Sequence, residues 1–367
     1  MKSISDYKTN PLLQISIALL SALIGGFVFY IFKLPIPWLL GPMTAVLIVS
    51  NLGIVKLHWP IYIRNTGLII VGYSIGLTFT RDTLLTMISK LPSMAFMTFF
   101  LILICTGMAF FISRITDINF PTALTSSIPG GLSQIITFAE ETKGIDITTV
   151  TFFQVIRVIM IIFFVPFLIF SPLFSKEGLE IAPQAISNDI QQEFFPQIIL
   201  FAIFSVIISL IGKKINLPTA FLLGPILGIA FLNVSGVQGP PLPSAVLDIS
   251  QFMIGGYIGL LLKPDKLKHK AKIIPVALFS SLILVSISLG LSFLLVWQYQ
   301  FSAITSFLSL APGGADQMGI IGHELEADVS MITGYQLFRI LFIFFAVPPL
   351  LKLILGLSLK KRDFKNE

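Results

Sequence analysis

Gln154 and Arg157, and again Gln336 and Arg339, stand three residues apart inside stretches that are otherwise almost wholly aliphatic or aromatic. That spacing puts an amide and a guanidinium on one face of a helix. Each pair lies about ten residues into its apolar stretch, near the bilayer centre for a helix rising ~1.5 Å per residue. A charge at that depth costs a few kcal/mol on insertion scales, so it faces a cavity or a partner. Two chemistries fit. The pair forms a polar wall that binds an anionic or carbonyl-bearing solute, or the guanidinium caps carbonyls freed at a broken helix or meets a nearby acid.

A broken helix is written into the chain twice. Ile128-Pro129-Gly130-Gly131-Leu132-Ser133-Gln134-Ile135 returns as Ala311-Pro312-Gly313-Gly314-Ala315-Asp316-Gln317-Met318, 183 residues later. Proline removes a backbone donor and the two glycines add flexible positions, so an apolar helix stops there. At membrane depth such a break survives only where protein or a water-filled cavity satisfies its polar groups, which points both breaks at a central site. The half-helix after each break begins with free N–H groups and a positive dipole end that favours anions. Gly130, Gly131, Ser133, Gln134, Gly313, Gly314 and Gln317 therefore join Gln154, Arg157, Gln336 and Arg339 as candidate substrate-binding residues. Asp316, where the first copy has Ser133, is a candidate proton or sodium site; its structural alternatives are a helix cap and a salt bridge to Arg339.

Other chemistries find little support. His58, His269 and His323 are dispersed without metal-ligand spacing, Cys105 is alone, and no phosphate-binding loop occurs. No cofactor, no enzymatic reaction and no direct nucleic-acid partner are expected. Glu140, Glu141 and Asp146, with their rough counterparts His323, Glu324 and Asp328, flank the next span and read as solvated loops.

The elements that must hold these residues are membrane helices. Of 367 residues, 55% are hydrophobic and 11% charged, with a mean hydropathy of +0.93, whereas soluble domains carry about a quarter charged residues. Apolar segments fall at roughly 11–32, 36–54, 62–80, 91–113, 120–139 and 148–171, and again at roughly 196–212, 217–233, 244–262, 273–296, 303–322 and 329–355. The two sets are copies. Leu34-Pro35-Ile36-Pro37-Trp38-Leu39-Leu40-Gly41-Pro42 matches Leu217-Pro218-Thr219-Ala220-Phe221-Leu222-Leu223-Gly224-Pro225, and Gly72 and Gly76 match Gly255 and Gly259, all at an offset of 183. Gln154, Arg157 and Pro166 match Gln336, Arg339 and Pro348 at 182. The chain thus divides into a first membrane repeat at 11–171, an acidic external linker at 172–195, a second repeat at 196–355 and a basic cytoplasmic tail at 356–367. The paired glycines fit close helix packing.

Basic residues decide the topology. If all six segments of each half cross, the 22 Lys and Arg outside the spans divide evenly between the two sides. If the Pro-Gly-Gly segment fails to cross, 18 lie inside and only Lys33, Arg81, Lys90 and Lys176 outside, the asymmetry of the positive-inside rule. Five crossings per half is odd, so the halves are inverted. The expected fold is an all-α polytopic membrane protein of two inverted repeats, each with about five crossings and a broken or re-entrant Pro-Gly-Gly helix, and both termini cytoplasmic. A hairpin and a broken helix that crosses fully remain open; in the second case the short Gly-Pro segments 36–54 and 217–233 would fail to cross.

The duplicated L-P-x-x-x-L-L-G-P, the P-G-G-x-x-Q turns and the Q-x-x-R spans resemble the membrane AbrB-type family over residues 11–355. Members are labelled as regulators of gene expression or as ammonia monooxygenases, and the resemblance implies kinship with the cation/proton antiporter and anion transporter superfamily. An oxygenase would need converging metal ligands that this chain does not display. The combined expectation is a secondary transporter or exporter of a small anionic solute in the cytoplasmic membrane, coupled to protons or sodium, with a membrane-embedded regulator or ligand sensor as the alternative.

Overall fold

A computed structural model describes residues 11–52, 56–130, 135–136, 138–139, 142, 144–169, 194–217, 219–262, 270–343 and 345. Regular structure among them is helical throughout: α1 (Pro11–Ile31), α2 (Pro37–Asn51), α3 (Ile61–Leu77), α4 (Arg81–Ile115), α5 (Phe120–Ser127), α6 (Ile147–Ile169), α7 (Phe194–Lys214), α8 (Ala220–Val234), α9 (Ser244–Gly259), α10 (Lys270–Tyr299), α11 (Ala303–Leu310), α12 (Ala315–Glu324) and α13 (Val329–Ile343). Five of these are long and apolar enough to cross a bilayer by length and composition. α7 starts two residues before the apolar segment read from sequence, with Pro196 in its first turn, where a missing N–H costs nothing.

The duplication is visible in the element boundaries. α2 and α8, like α5 and α11, begin and end at residues separated by 183. Ile36 and Thr219, immediately before α2 and α8, both take left-handed backbone at φ 47° and 45°. Such a conformation is costly for a β-branched residue, and its recurrence at matched positions marks a turn the fold needs twice.

α1, α2 and α3 pack with α7, α8 and α9 into one bundle, and α4, α5 and α6 pack with α10, α11 and α12 into a second. α13 joins the second bundle through Tyr335, whose hydroxyl shares a 3.0 Å hydrogen bond with Ser93 of α4. The halves interlock inside the first bundle: α3 lies on α8, and α2 on α9. At Gly72 an added Cβ would sit 2.6 Å from the Leu222 carbonyl oxygen, and at Gly255 it would strike that of Leu39, the equivalent residue. The glycines read as close-packing positions are therefore backbone contacts between the repeats. The two bundles meet on an aliphatic surface in which Leu39, Met43, Val71 and Ile75 join Val155, Ile159, Ile162 and Ile320.

The Pro-Gly-Gly segments are hairpins. Asn119 Nδ2 donates to the Gly144 carbonyl at 2.7 Å, and the Asp146 N–H donates to Thr122 Oγ1 at 3.0 Å. In the second half the Asp328 N–H donates to Thr305 Oγ1 at 3.2 Å. The start of each short arm is thus latched to the residues that leave the hairpin, so the segment returns to the level at which it entered. A hairpin that returns to its level of entry does not cross. With it set aside, five further apolar helices remain in each half, α2 and α8 among the shorter ones, the odd number that the charge asymmetry predicts for inverted repeats.

Contacts between distant loops agree. Lys272 Nζ lies 3.4 Å from Asp117 Oδ2, and Lys90 Nζ lies 3.8 Å from the centre of the Tyr299 ring; a six-crossing chain would separate both pairs across the membrane. In a protein with Cys105 replaced by serine, single cysteines at 117 and 272 are expected to react with an impermeant maleimide from one side of sealed vesicles, and one at 300 from the other. Labelling of 117 and 272 from opposite sides would break the hairpin assignment.

Candidate functional site

Each hairpin begins with a short helix whose first turn is capped by its own side chain. Asn119 Oδ1 accepts from the Thr122 N–H at 3.0 Å, and Ser302 Oγ from the Thr305 N–H at 3.1 Å. At the other end, Pro-Gly-Gly stops α5 and α11 and leaves carbonyls without intrahelical donors. The Gln–Arg pairs supply them. Gln154 Nε2 lies 3.1 Å from the carbonyl oxygens of Thr125, Ser126 and Ile128, and Arg157 Nη1 donates to Ile128 at 3.2 Å. Gln336 Nε2 reaches Leu308 at 2.7 Å and Ala311 at 3.0 Å, while Arg339 donates to Ala311 at 2.8 Å and Gly313 at 2.5 Å. Each guanidinium also donates through Nη2 to the Oε1 of its own glutamine. A cation at the negative end of a half-helix is electrostatically favourable, and the i, i+3 spacing makes amide and guanidinium one unit.

Capping uses only part of each arginine. The Nε–H of Arg157 and of Arg339 has no hydrogen-bond partner although the residues are 5% and 3% exposed. No carboxylate among the described residues pairs with either guanidinium. Both arginines line small cavities, each with room for about one water molecule. The cavities are copies of one another: Ser126, Phe153, Arg157, Ser281 and Leu284 on one side correspond to Ser309, Tyr335, Arg339, Thr98 and Leu101 on the other, at 183 or 182 residues. Helices of both halves build each wall.

Each break reaches into the other half. A Cβ on Gly130 would meet Ile343 at 3.2 Å, and one on Gly313 would meet Ile161 at 3.3 Å. Each corner therefore packs on the other half's arginine helix, one turn beyond the arginine. Downstream of the second break, Gln317 Oε1 accepts from the Gly314 N–H at 2.7 Å, and Gln317 Nε2 donates to Asp316 Oδ2 at 2.9 Å. Gln317 closes the start of α12, and the Asp316 carboxylate sits over the same first turn. The salt bridge between Asp316 and Arg339 that the sequence left open is not formed, because Arg339 is turned to the carbonyl end of α11. Gly131, Ser133 and Gln134 lie outside the described residues, as do Glu140 and Glu141.

Asp146 and Asp328 cap the arginine helices. Asp146 Oδ1 accepts from the Thr148 N–H and Oδ2 from the Thr149 hydroxyl, and Asp328 Oδ1 accepts from the Met331 N–H. Glu324 accepts from Gln251 Nε2 at 2.7 Å and so ties α12 to α9 across the two bundles. Ser126, which lines the Arg157 cavity, and Thr122 and Thr305, which latch the hairpins, are positions that sequence reasoning passed over. A hydroxyl repeated at matched positions was the only signal for the threonines.

The family model described as "Transition state regulatory protein AbrB" matches residues 7–355. Among curated relatives, "Uncharacterized protein YhjN" of Bacillus subtilis (strain 168) is 24% identical, the match covering 93% of each chain. "Putative regulator AbrB" of Escherichia coli (strain K12) is 26% identical over 94% of this chain and 97% of its own length. No solved structure matches. With duplicated motifs, latched hairpins and a family match running almost from end to end, this chain belongs to the AbrB family of polytopic helical membrane proteins.

Proposed function

We propose that the protein is a secondary transporter or exporter of a small anionic solute in the cytoplasmic membrane, with both termini on the cytoplasmic side. The observation that carries this reading is the pair of buried arginines whose charge no described carboxylate balances and whose Nε–H groups stay unbonded. The carbonyl end of a half-helix is where a transported cation would bind; here the chain's own guanidinium groups fill both such places. What is left over is positive, and a buried positive site recruits an anion. The aliphatic contact between the bundles supports alternating access, since few polar bonds hold one bundle to the other. Asp316 beside the second break is the residue we assign to proton or sodium coupling. In this reading the site binds and releases, and no covalent bond is made.

The test is counterflow in proteoliposomes with labelled short-chain carboxylates, phosphate and sulfate. Saturable counterflow of one of these, lost in Arg157→Lys and Arg339→Lys proteins that remain folded, is the expected result. Flux indifferent to both substitutions would remove the anion site. The name of the Escherichia coli relative favours a second reading, a membrane regulator that senses the same ligand. Saturable binding without counterflow, together with a required cytoplasmic partner, would select it.

A further inference from the structure

We propose that the cavity beside Arg157 binds an inorganic anion of halide size, which rests on the transport reading above and names the class of anion that its first arginine takes. Two unpartnered polar atoms belong to residues that line it, Arg157 Nε and Ser126 Oγ, on residues 5% and 2% exposed. The other hydroxyls around the cavity are engaged: Ser127 donates to Ala123, and Ser280 and Ser281 both donate to the Ala277 carbonyl. Arg157 and Ser126 thus offer one charged N–H and one O–H, a donor set without a matching acceptor. A guanidinium buried among neutral partners carries a large desolvation cost until a counter-charge arrives. Chloride is monovalent, compact and a pure hydrogen-bond acceptor. The cavity is lined by α4, α5, α6 and α10, all in the second bundle, so its occupant moves with that bundle.

The second cavity lacks this donor pair. Ser309 donates to the Thr305 carbonyl at 2.7 Å, Tyr335 is bonded to Ser93, and Met97 and Leu310 replace Ser280 and Ser127. Arg339 Nε is unpartnered there as well. The serine of the break thus keeps an unbonded hydroxyl in the first copy and a bonded one in the second.

A ligand that binds only the folded protein raises its melting temperature in a saturable way. Purified protein is melted at constant ionic strength and constant sodium while gluconate is exchanged for chloride or bromide. A saturable rise with either halide is expected, with its midpoint moved about tenfold or more to higher halide in Ser126→Ala, the loss of one hydrogen bond to a charged group, and unmoved in Ser309→Ala. Identical melting in gluconate and halide, the result for a cavity holding water only, would overturn the proposal, as would equal midpoints in wild type and Ser126→Ala. Because the readout is stability, the halide site can fail while anion counterflow stands, and the reverse.

Discussion

Arg339→Ala is expected to cost about 3–6 kcal/mol of stability and to abolish transport. The substitution strands the Gly313 and Leu310 carbonyls and the Gln336 amide oxygen, and leaves Ala311 to Gln336 and the Gly313 N–H. A buried acceptor left without a donor costs about 1–3 kcal/mol, and here three are stranded, the Leu310 contact being the longest at 3.4 Å. Arg157→Ala should cost less, since Arg157 serves one carbonyl and its own glutamine. Arg339→Lys separates cap from site: an ammonium keeps the charge and satisfies part of the carbonyl set, but it lacks the planar fork that serves Ala311, Gly313 and Gln336 together. Stability should recover partly while flux stays lost. Thermal melting and proteoliposome counterflow read the two effects, and an Arg339→Ala protein that melts like wild type would refute the capping assignment.

The second large effect is steric. Gly72→Val and Gly255→Val each push a branched side chain into the carbonyl of the helix from the other repeat. That oxygen is backbone, so relief requires α3 to separate from α8, or α9 from α2. Overpacking of this kind costs about 1–3 kcal/mol and sometimes more, and the double variant should fail to yield monodisperse protein on size exclusion. Gly107→Val is the control. It lies on α4 with open space at its Cβ position and should leave the elution profile unchanged. Equal behaviour of all three would show that the repeats do not interlock at these glycines.

How much was legible beforehand depended on what leaves a trace in residue type. The duplication did, because Leu-Gly-Pro and Pro-Gly-Gly landmarks kept their spacing, and α2 and α8 then appeared at matching positions. The charge asymmetry pointed to five crossings, but hydropathy does not distinguish a segment that crosses from one that turns back. The distinction rests on Thr122 and Thr305, single hydroxyls that latch each hairpin shut and look unremarkable in an apolar run. For the arginines, spacing showed that Gln and Arg share a face but not what that face meets. The carbonyls of Ile128 and Ala311 come from a segment 25 to 29 residues away, beyond the reach of a helical pattern. The unbonded Nε atoms, which divide the guanidinium between two jobs, left no sign in the sequence at all.

The latches and caps have a consequence for biosynthesis. Among the described residues, the polar bonds that close the first hairpin, from Asn119 to Gly144, Asp146 to Thr122, and Gln154 and Arg157 to Ile128, are made within one repeat. Once the nascent chain has emerged past Arg157, its hydrogen-bonding groups can be settled before the second repeat is translated. The apolar helices α2 and α3 are in the opposite position, for the surfaces that receive them, on α9 and α8, have yet to be synthesised. A ribosome stalled between the repeats would therefore leave a half-protein whose corner carbonyls are already met but with two helix faces still waiting for a mate.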